Sequence, residues 1–157
     1  MGAVERKIVV FLVTGGGAGY FPKFPGTVGT LVAVPISLGV NRIAGTSLPV
    51  AVLTLAAAIF CAITLATKGA EIFAQKDPAK IVIDEIVGFM VASFLCPVRI
   101  VPLTAAFLLF RFFDIAKIFP ISRLERLPGG SGIVLDDVMA GIYTFVILQL
   151  LLLWGLL

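Results

Sequence analysis

The stretch "LPVAVLTLAAAIFCAITLAT", residues 48–67, carries no charged side chain. About 20 apolar residues in a helix are enough to cross the roughly 30 Å hydrocarbon core of a bilayer. Over the whole chain of 157 residues, 60% are hydrophobic and 13% are charged, whereas about a quarter of the residues in a soluble domain are charged. The sequence therefore predicts an integral membrane protein, with residues 1–157 forming a single membrane-embedded domain.

Four more apolar segments accompany this one, at residues 28–40, 81–95, 101–113 and 133–157. Residues 8–21 are too short and too rich in glycine to cross comfortably, so we expect this N-terminal segment to lie at the interface or to re-enter. Polar connectors at residues 68–80 and 116–132 contain Pro and Gly, which interrupt helices. The pattern predicts an all-α membrane bundle of about five apolar helices plus this short N-terminal segment.

The positive charges indicate an orientation. If residues 28–40 leave the cytoplasm and each later apolar segment crosses once, nine Lys and Arg residues fall inside and two fall outside. Cytoplasmic loops carry such an excess of Lys and Arg. This topology also places the polar motifs that adjoin the apolar segments at the cytoplasmic end of the bundle.

Three of these motifs supply acids, namely "IDEIVG" at 83–88, "RFFDIAK" at 111–117 and "GIVLDDVMAG" at 132–141. An acid at the centre of a membrane helix costs roughly 2.5–3.5 kcal/mol, and clustered carboxylates also repel one another. A hard divalent cation such as Mg²⁺ or Mn²⁺ takes oxygen ligands and would offset that cost. Histidine is absent and the two cysteines lie far apart, which argues against zinc and copper sites and excludes histidine-based catalysis. The five candidate carboxylates are Asp84, Glu85, Asp114, Asp136 and Asp137.

Cations and small residues accompany the acids. Arg111, Asp114 and Lys117 are spaced i, i+3, i+6, and carboxylates flanked by cations suit a metal-bound phosphate. In "FPGTVGT", residues 24–30, Thr27 follows Gly26 at the start of a helix, where amide groups favour anions. Gly88 and Gly141 each lie four residues after an acid and predict close helix packing. Each motif alone also has a structural reading as a helix cap, an ion pair or a turn, and their convergence favours a phosphoryl site.

Four motifs in this order resemble the phosphatidylglycerophosphatase A family: "FPGTVGT" at 24–30, "IDEIVGFM" at 83–90, "FRFFDIAKIFPI" at 110–121 and "GGSGIVLDDVMAGI" at 129–142. The resemblance implies a Mg²⁺-dependent phosphatase of the bacterial inner membrane, with its active site facing the cytoplasm. Its reaction would convert phosphatidylglycerol phosphate to phosphatidylglycerol and inorganic phosphate. By position, the five carboxylates match the family's catalytic and metal-binding acids. Thr27, Arg111 and Lys117 match polar positions that would bind the phosphate.

Other functions remain open at this stage. A carboxylate-dependent ion or proton transporter would need acids along a path across the bilayer, and a phosphoalcohol transferase would use a similar metal. The net charge of +3 favours anionic lipid headgroups over nucleic acid as partners. The sequence leaves open the oligomeric state, the number of metal ions, the acyl-chain preference, and which carboxylate is a metal ligand, base or nucleophile.

Overall fold

The computed structural model describes all 157 residues and contains seven α-helices and no strand. The helices are α1 Ala3–Val13, α2 Pro25–Thr46, α3 Leu48–Phe73, α4 Ile83–Ala92, α5 Ile100–Ala116, α6 Ile121–Leu124 and α7 Gly130–Leu153, with a 3₁₀ turn at Ala18–Tyr20. The predicted all-α bundle is confirmed. The five apolar segments of the sequence correspond to α2, α3, α4, α5 and α7.

Three helices, α2, α3 and α7, are long and apolar enough to cross a membrane. Large apolar side chains cover their outer surface, and Leu53 and Phe60 of α3 are each 69% exposed. Such a surface is suited to lipid acyl chains and costly in water. The chain is therefore a membrane protein.

Helix α2 is longer than the apolar segment at 28–40 suggested. It begins at Pro25, where a missing N–H costs nothing in the first turn, and it runs on to Thr46. Pro35 lies inside the helix and is exposed. Membrane helices tolerate such a proline because neighbouring groups satisfy the freed carbonyl.

Helix α4 is shorter than the segment 81–95 suggested. Its 10 residues extend about 15 Å, which is too short to cross a bilayer. Its first residues lie at the same end of the bundle as the last residues of α5. Helices α4 and α5 thus form a hairpin that enters the bundle and returns to the same end.

Two amide side chains secure the turn of this hairpin. Asn41 Nδ2 donates to Ser93 O at 2.7 Å, and Leu95 N donates to Asn41 Oδ1 at 2.8 Å. Gln149 Nε2 donates to Phe94 O at 3.1 Å. Irregular backbone is tolerated within a membrane only where its polar groups find protein partners, so these contacts explain how the turn is accommodated.

The N-terminal segment begins with α1, whose 11 residues extend about 16 Å and do not cross a bilayer alone. Val9 and Val13 are buried, whereas Ile8 and Phe11 are more than half exposed. An ion pair of 3.1 Å between Glu5 Oε1 and Lys68 Nζ ties α1 to α3. The segment therefore lies against the bundle as a short helix followed by a turn.

Helix α4 occupies the centre of the bundle and packs against α2, α3, α5 and α7. Its contact with α7 is made by glycines, as the sequence predicted. A Cβ on Gly141 would collide with Gly88 O, and a Cβ on Gly88 would lie 2.8 Å from Asp137 O. Because the two backbones approach this closely, the acids that precede these glycines are drawn together.

Candidate active site

A cavity of about 240 Å³ opens at the end of the bundle where α2, α4 and α7 begin and α5 ends. All four sequence motifs contribute to its wall, together with the connector before α4. The convergence of the motifs that the topology predicted is therefore observed. The charged residues of the lining are Asp77, Asp84, Glu85, Arg111, Asp114, Lys117, Asp136 and Asp137.

Three of the carboxylates form one group. Asp84, Glu85 and Asp137 each offer an oxygen that lies within 4.8 Å of the other two. Asp84 Oδ1, Glu85 Oε2 and Asp137 Oδ2 are buried and have no hydrogen-bond partner in the protein. Ionised carboxylates packed this closely repel one another, so a positive charge among them would stabilise the group, and oxygen ligands suit a hard divalent cation.

Asp114 lies beside this group and is paired with Arg111 one turn earlier in α5. Arg111 Nη1 is 2.6 Å from Asp114 Oδ2 and 3.9 Å from Glu85 Oε1. The ion pair suggested by the i, i+3 spacing is thus present. The buried Nε of Arg111 has no acceptor in the protein, so it remains available to donate to a bound anion.

Asp136 is paired with Lys117, which follows α5 in a left-handed conformation with a φ of 45°. Lys117 Nζ lies 2.8 Å from Asp136 Oδ2 and 2.9 Å from Glu125 Oε1. Burial lowers the pKa of Lys117, but the hydrogen bonds to the two carboxylates outweigh it and raise this pKa above its usual value. The second oxygen of Asp136, Oδ1, is buried without a partner. The five predicted carboxylates therefore divide into a group of three and two, Asp114 and Asp136, that form close ion pairs of 2.6 Å and 2.8 Å.

The start of α2 contributes Gly26 to the cavity lining rather than the predicted Thr27, which is half-buried and lies outside the lining. A Cβ on Gly26 would occupy the position of Glu85 Oε1 and lie 3.2 Å from Arg111 Nη1. The sequence showed Gly26 only as part of a helix start. It gave no sign that a glycine was needed there to accommodate side chains from two other helices.

Two further acids escaped sequence reasoning. Asp77 lines the cavity from the connector before α4, and Glu125 binds Lys117 from the loop before α7. Both lie in polar segments, where acids are expected for solubility. Only the Asp-Pro pair at 77–78, typical of a turn, could have drawn attention to Asp77.

The family "Phosphatidylglycerophosphatase A" matches residues 11–152. This match confirms the resemblance indicated by the four motifs. No solved structure matches the chain at a significant level.

Three relatives align over most of their length. A Bacteroides thetaiotaomicron protein named "Putative phosphatidylinositol-3-phosphatase" is 34% identical over 88% of this chain and 90% of its own. A Haemophilus influenzae protein named "Phosphatidylglycerophosphatase A" is 35% identical over 92% of this chain and 89% of its own. The Escherichia coli protein of the same name is 33% identical over 83% of this chain and 76% of its own.

Proposed function

This chain belongs to the phosphatidylglycerophosphatase A family and is a membrane phosphatase, and we propose that it hydrolyses phosphatidylglycerol phosphate to phosphatidylglycerol and inorganic phosphate. In this reaction the oxygen of water bonds to phosphorus and the ester P–O bond breaks. One proton of the water passes to the leaving glycerol oxygen. The observation that carries the proposal is the group of three carboxylates beside Arg111, each with an oxygen within 4.8 Å of the other two and each with a buried oxygen that has no protein partner.

We assign Mg²⁺ to Asp84, Glu85 and Asp137. Each provides a buried oxygen without a protein partner, and magnesium binds a few carboxylates while keeping positions for water and phosphate. When bound, the ion would neutralise the negative charge of the phosphate and polarise one of its oxygens. Asp114 and Asp136 lie outside the group of three, and their ion pairs of 2.6 Å and 2.8 Å are much closer than the 3.9 Å between Arg111 and Glu85.

The remaining polar groups have separate tasks. Arg111 is held by Asp114 and Glu85, which leaves its Nε to donate to a phosphoryl oxygen. Lys117 pairs with Asp136 Oδ2 and leaves Asp136 Oδ1 to accept a proton from the attacking water and pass it to the leaving glycerol oxygen. Carboxylates in this role contribute typically about 10²–10⁴-fold to a rate.

The position of the site supports catalysis at a membrane face and argues against transport. Asp137 is seven residues beyond Gly130 at the start of α7, or about 10 Å along the helix. The acids gather at that end and form no path across the bundle. From the distribution of Lys and Arg, we propose that this face is the cytoplasmic side of the bacterial inner membrane.

The name of the Bacteroides thetaiotaomicron relative makes a phosphoinositide the second candidate substrate. Both candidates carry a phosphate monoester on a polyol headgroup of a diacyl lipid. They differ in the size of that headgroup, and the cavity of about 240 Å³ has to admit it.

The test is phosphate release by the purified protein from phosphatidylglycerol phosphate and from phosphatidylinositol 3-phosphate, each with Mg²⁺ and with EDTA. We expect Mg²⁺-dependent release from the first lipid at a kcat/KM at least tenfold higher than from the second. Glu71→Gln serves as a control because Glu71 is exposed and lies outside the cavity. A folded, magnesium-loaded protein that released phosphate from neither lipid would overturn the proposal.

A further inference from the structure

A second polar pocket, of about 190 Å³, lies beside the catalytic cavity on the side of the connecting loops. Asp77 and Ile133 belong to the walls of both, so the two spaces adjoin at these residues. Given a liquid volume of about 30 Å³ per water, this pocket has room for roughly six waters. A hydrated small anion therefore fits it, whereas a diacyl lipid does not.

The rim of this pocket carries two cations without a partner. Lys76 and Arg126 are exposed lining residues, and neither forms an ion pair with a carboxylate. Two carboxylates also line the pocket: Glu125 is bound to Lys117, and Asp77 lies on the wall shared with the catalytic cavity. The first residues of the 24-residue helix α7 complete the wall, and the N-terminal end of a helix favours anions.

The two products of the reaction differ in where they must go. The lipid product stays in the bilayer, whereas inorganic phosphate is a water-soluble anion. We propose that the pocket between Lys76 and Arg126 binds inorganic phosphate on its way from the catalytic cavity to water. This inference rests on the proposed function, since it assigns a route to the phosphate that the reaction releases.

Product inhibition tests the inference. The magnesium-loaded full chain is assayed with increasing inorganic phosphate, as wild type and as the double variant Lys76→Gln/Arg126→Gln. The loss of two cations several ångströms from a phosphate should raise its inhibition constant about three- to tenfold. The KM for the lipid reports on the catalytic cavity and serves as the internal reference.

The matched control is Arg6→Gln/Lys7→Gln, which removes two exposed cations that lie outside both the pocket and the cavity. We expect this control to keep the wild-type inhibition constant and rate. Equal inhibition constants in Lys76→Gln/Arg126→Gln and the wild type would refute phosphate binding in this pocket. An equal rise of the inhibition constant in both double variants would refute it as well. A wild-type protein that releases no phosphate would instead overturn the proposed function.

Discussion

The role of Gly26 gives the sharpest prediction about catalysis. In the Gly26→Ala variant the new Cβ would take the position of Glu85 Oε1 and lie 3.2 Å from Arg111 Nη1. The side chains of Glu85 and Arg111 can yield, whereas the backbone of α2 is fixed by its packing on α4. We therefore expect the helix to form normally and the Glu85 carboxylate to move by about 1 Å or more to restore van der Waals contact.

A displacement of about 1 Å in a catalytic group costs up to about 100-fold in rate, which corresponds to about 2.7 kcal/mol. The assay is phosphate release in detergent at saturating Mg²⁺, accompanied by thermal unfolding and by titration with Mn²⁺. Gly39→Ala is the matched control, because Gly39 is in the same helix and a Cβ there meets nothing within 4 Å. If Gly26→Ala kept activity and metal affinity within threefold of the control, the proposed positioning of Glu85 would be wrong.

Two further predictions concern stability. Lys117→Met should cost about 1–3 kcal/mol at pH 8, because it leaves the buried Asp136 carboxylate without its partner. The pKa of Lys117 is raised in the folded protein. The stabilisation that the Lys117–Asp136 pair gives the folded state is therefore fully present below the unfolded pKa of about 10.4, and it is lost as pH rises through the higher folded pKa. The unfolding-temperature gap between wild type and Lys117→Met should therefore stay constant from pH 7 to about pH 10 and narrow above it; a gap that narrows below pH 9 would contradict the pairing. Asn41→Leu should also cost about 1–3 kcal/mol, because Ser93 O and Leu95 N lose their partner inside the bundle, and an unchanged unfolding temperature would show that the turn finds other partners.

The apolar segments allowed the helices to be predicted from the sequence, but their lengths depended on tertiary contacts. Residues 81–95 are continuously apolar apart from Asp84, Glu85 and Ser93, and the first proline after them is Pro97, five residues beyond Ala92. The helix ends before Pro97 requires it to, and the turn that follows is bound by Asn41, which accepts from Leu95 N, 54 residues later in the chain. Hydropathy does not report such a long-range hydrogen bond.

Most of the charged residues that line the cavity were predictable from the sequence, whereas the division of the five acids into two sets was not. The five acids lie at the ends of apolar segments, where burial is costly, and topology alone brought them to one end of the bundle. The contact between Lys117 and Asp136 joins residues 19 positions apart and depends on the left-handed turn after α5. The separation of the group of three acids from the two acids in close ion pairs therefore required the structure.

The most direct test of the account is the Mn²⁺ affinity of purified protein, measured by electron paramagnetic resonance for wild type, Asp137→Asn and Asp136→Asn. Asp137 belongs to the group of three carboxylates, whereas its neighbour Asp136 is paired with Lys117, so the two variants remove equal charge at adjacent positions. We expect Asp137→Asn to weaken binding at least about tenfold, since even partners of metal ligands affect affinity by 10- to 100-fold, and Asp136→Asn to weaken it less than threefold. Equal losses in the two variants, or a larger loss in Asp136→Asn, would contradict the assignment of the metal to Asp84, Glu85 and Asp137.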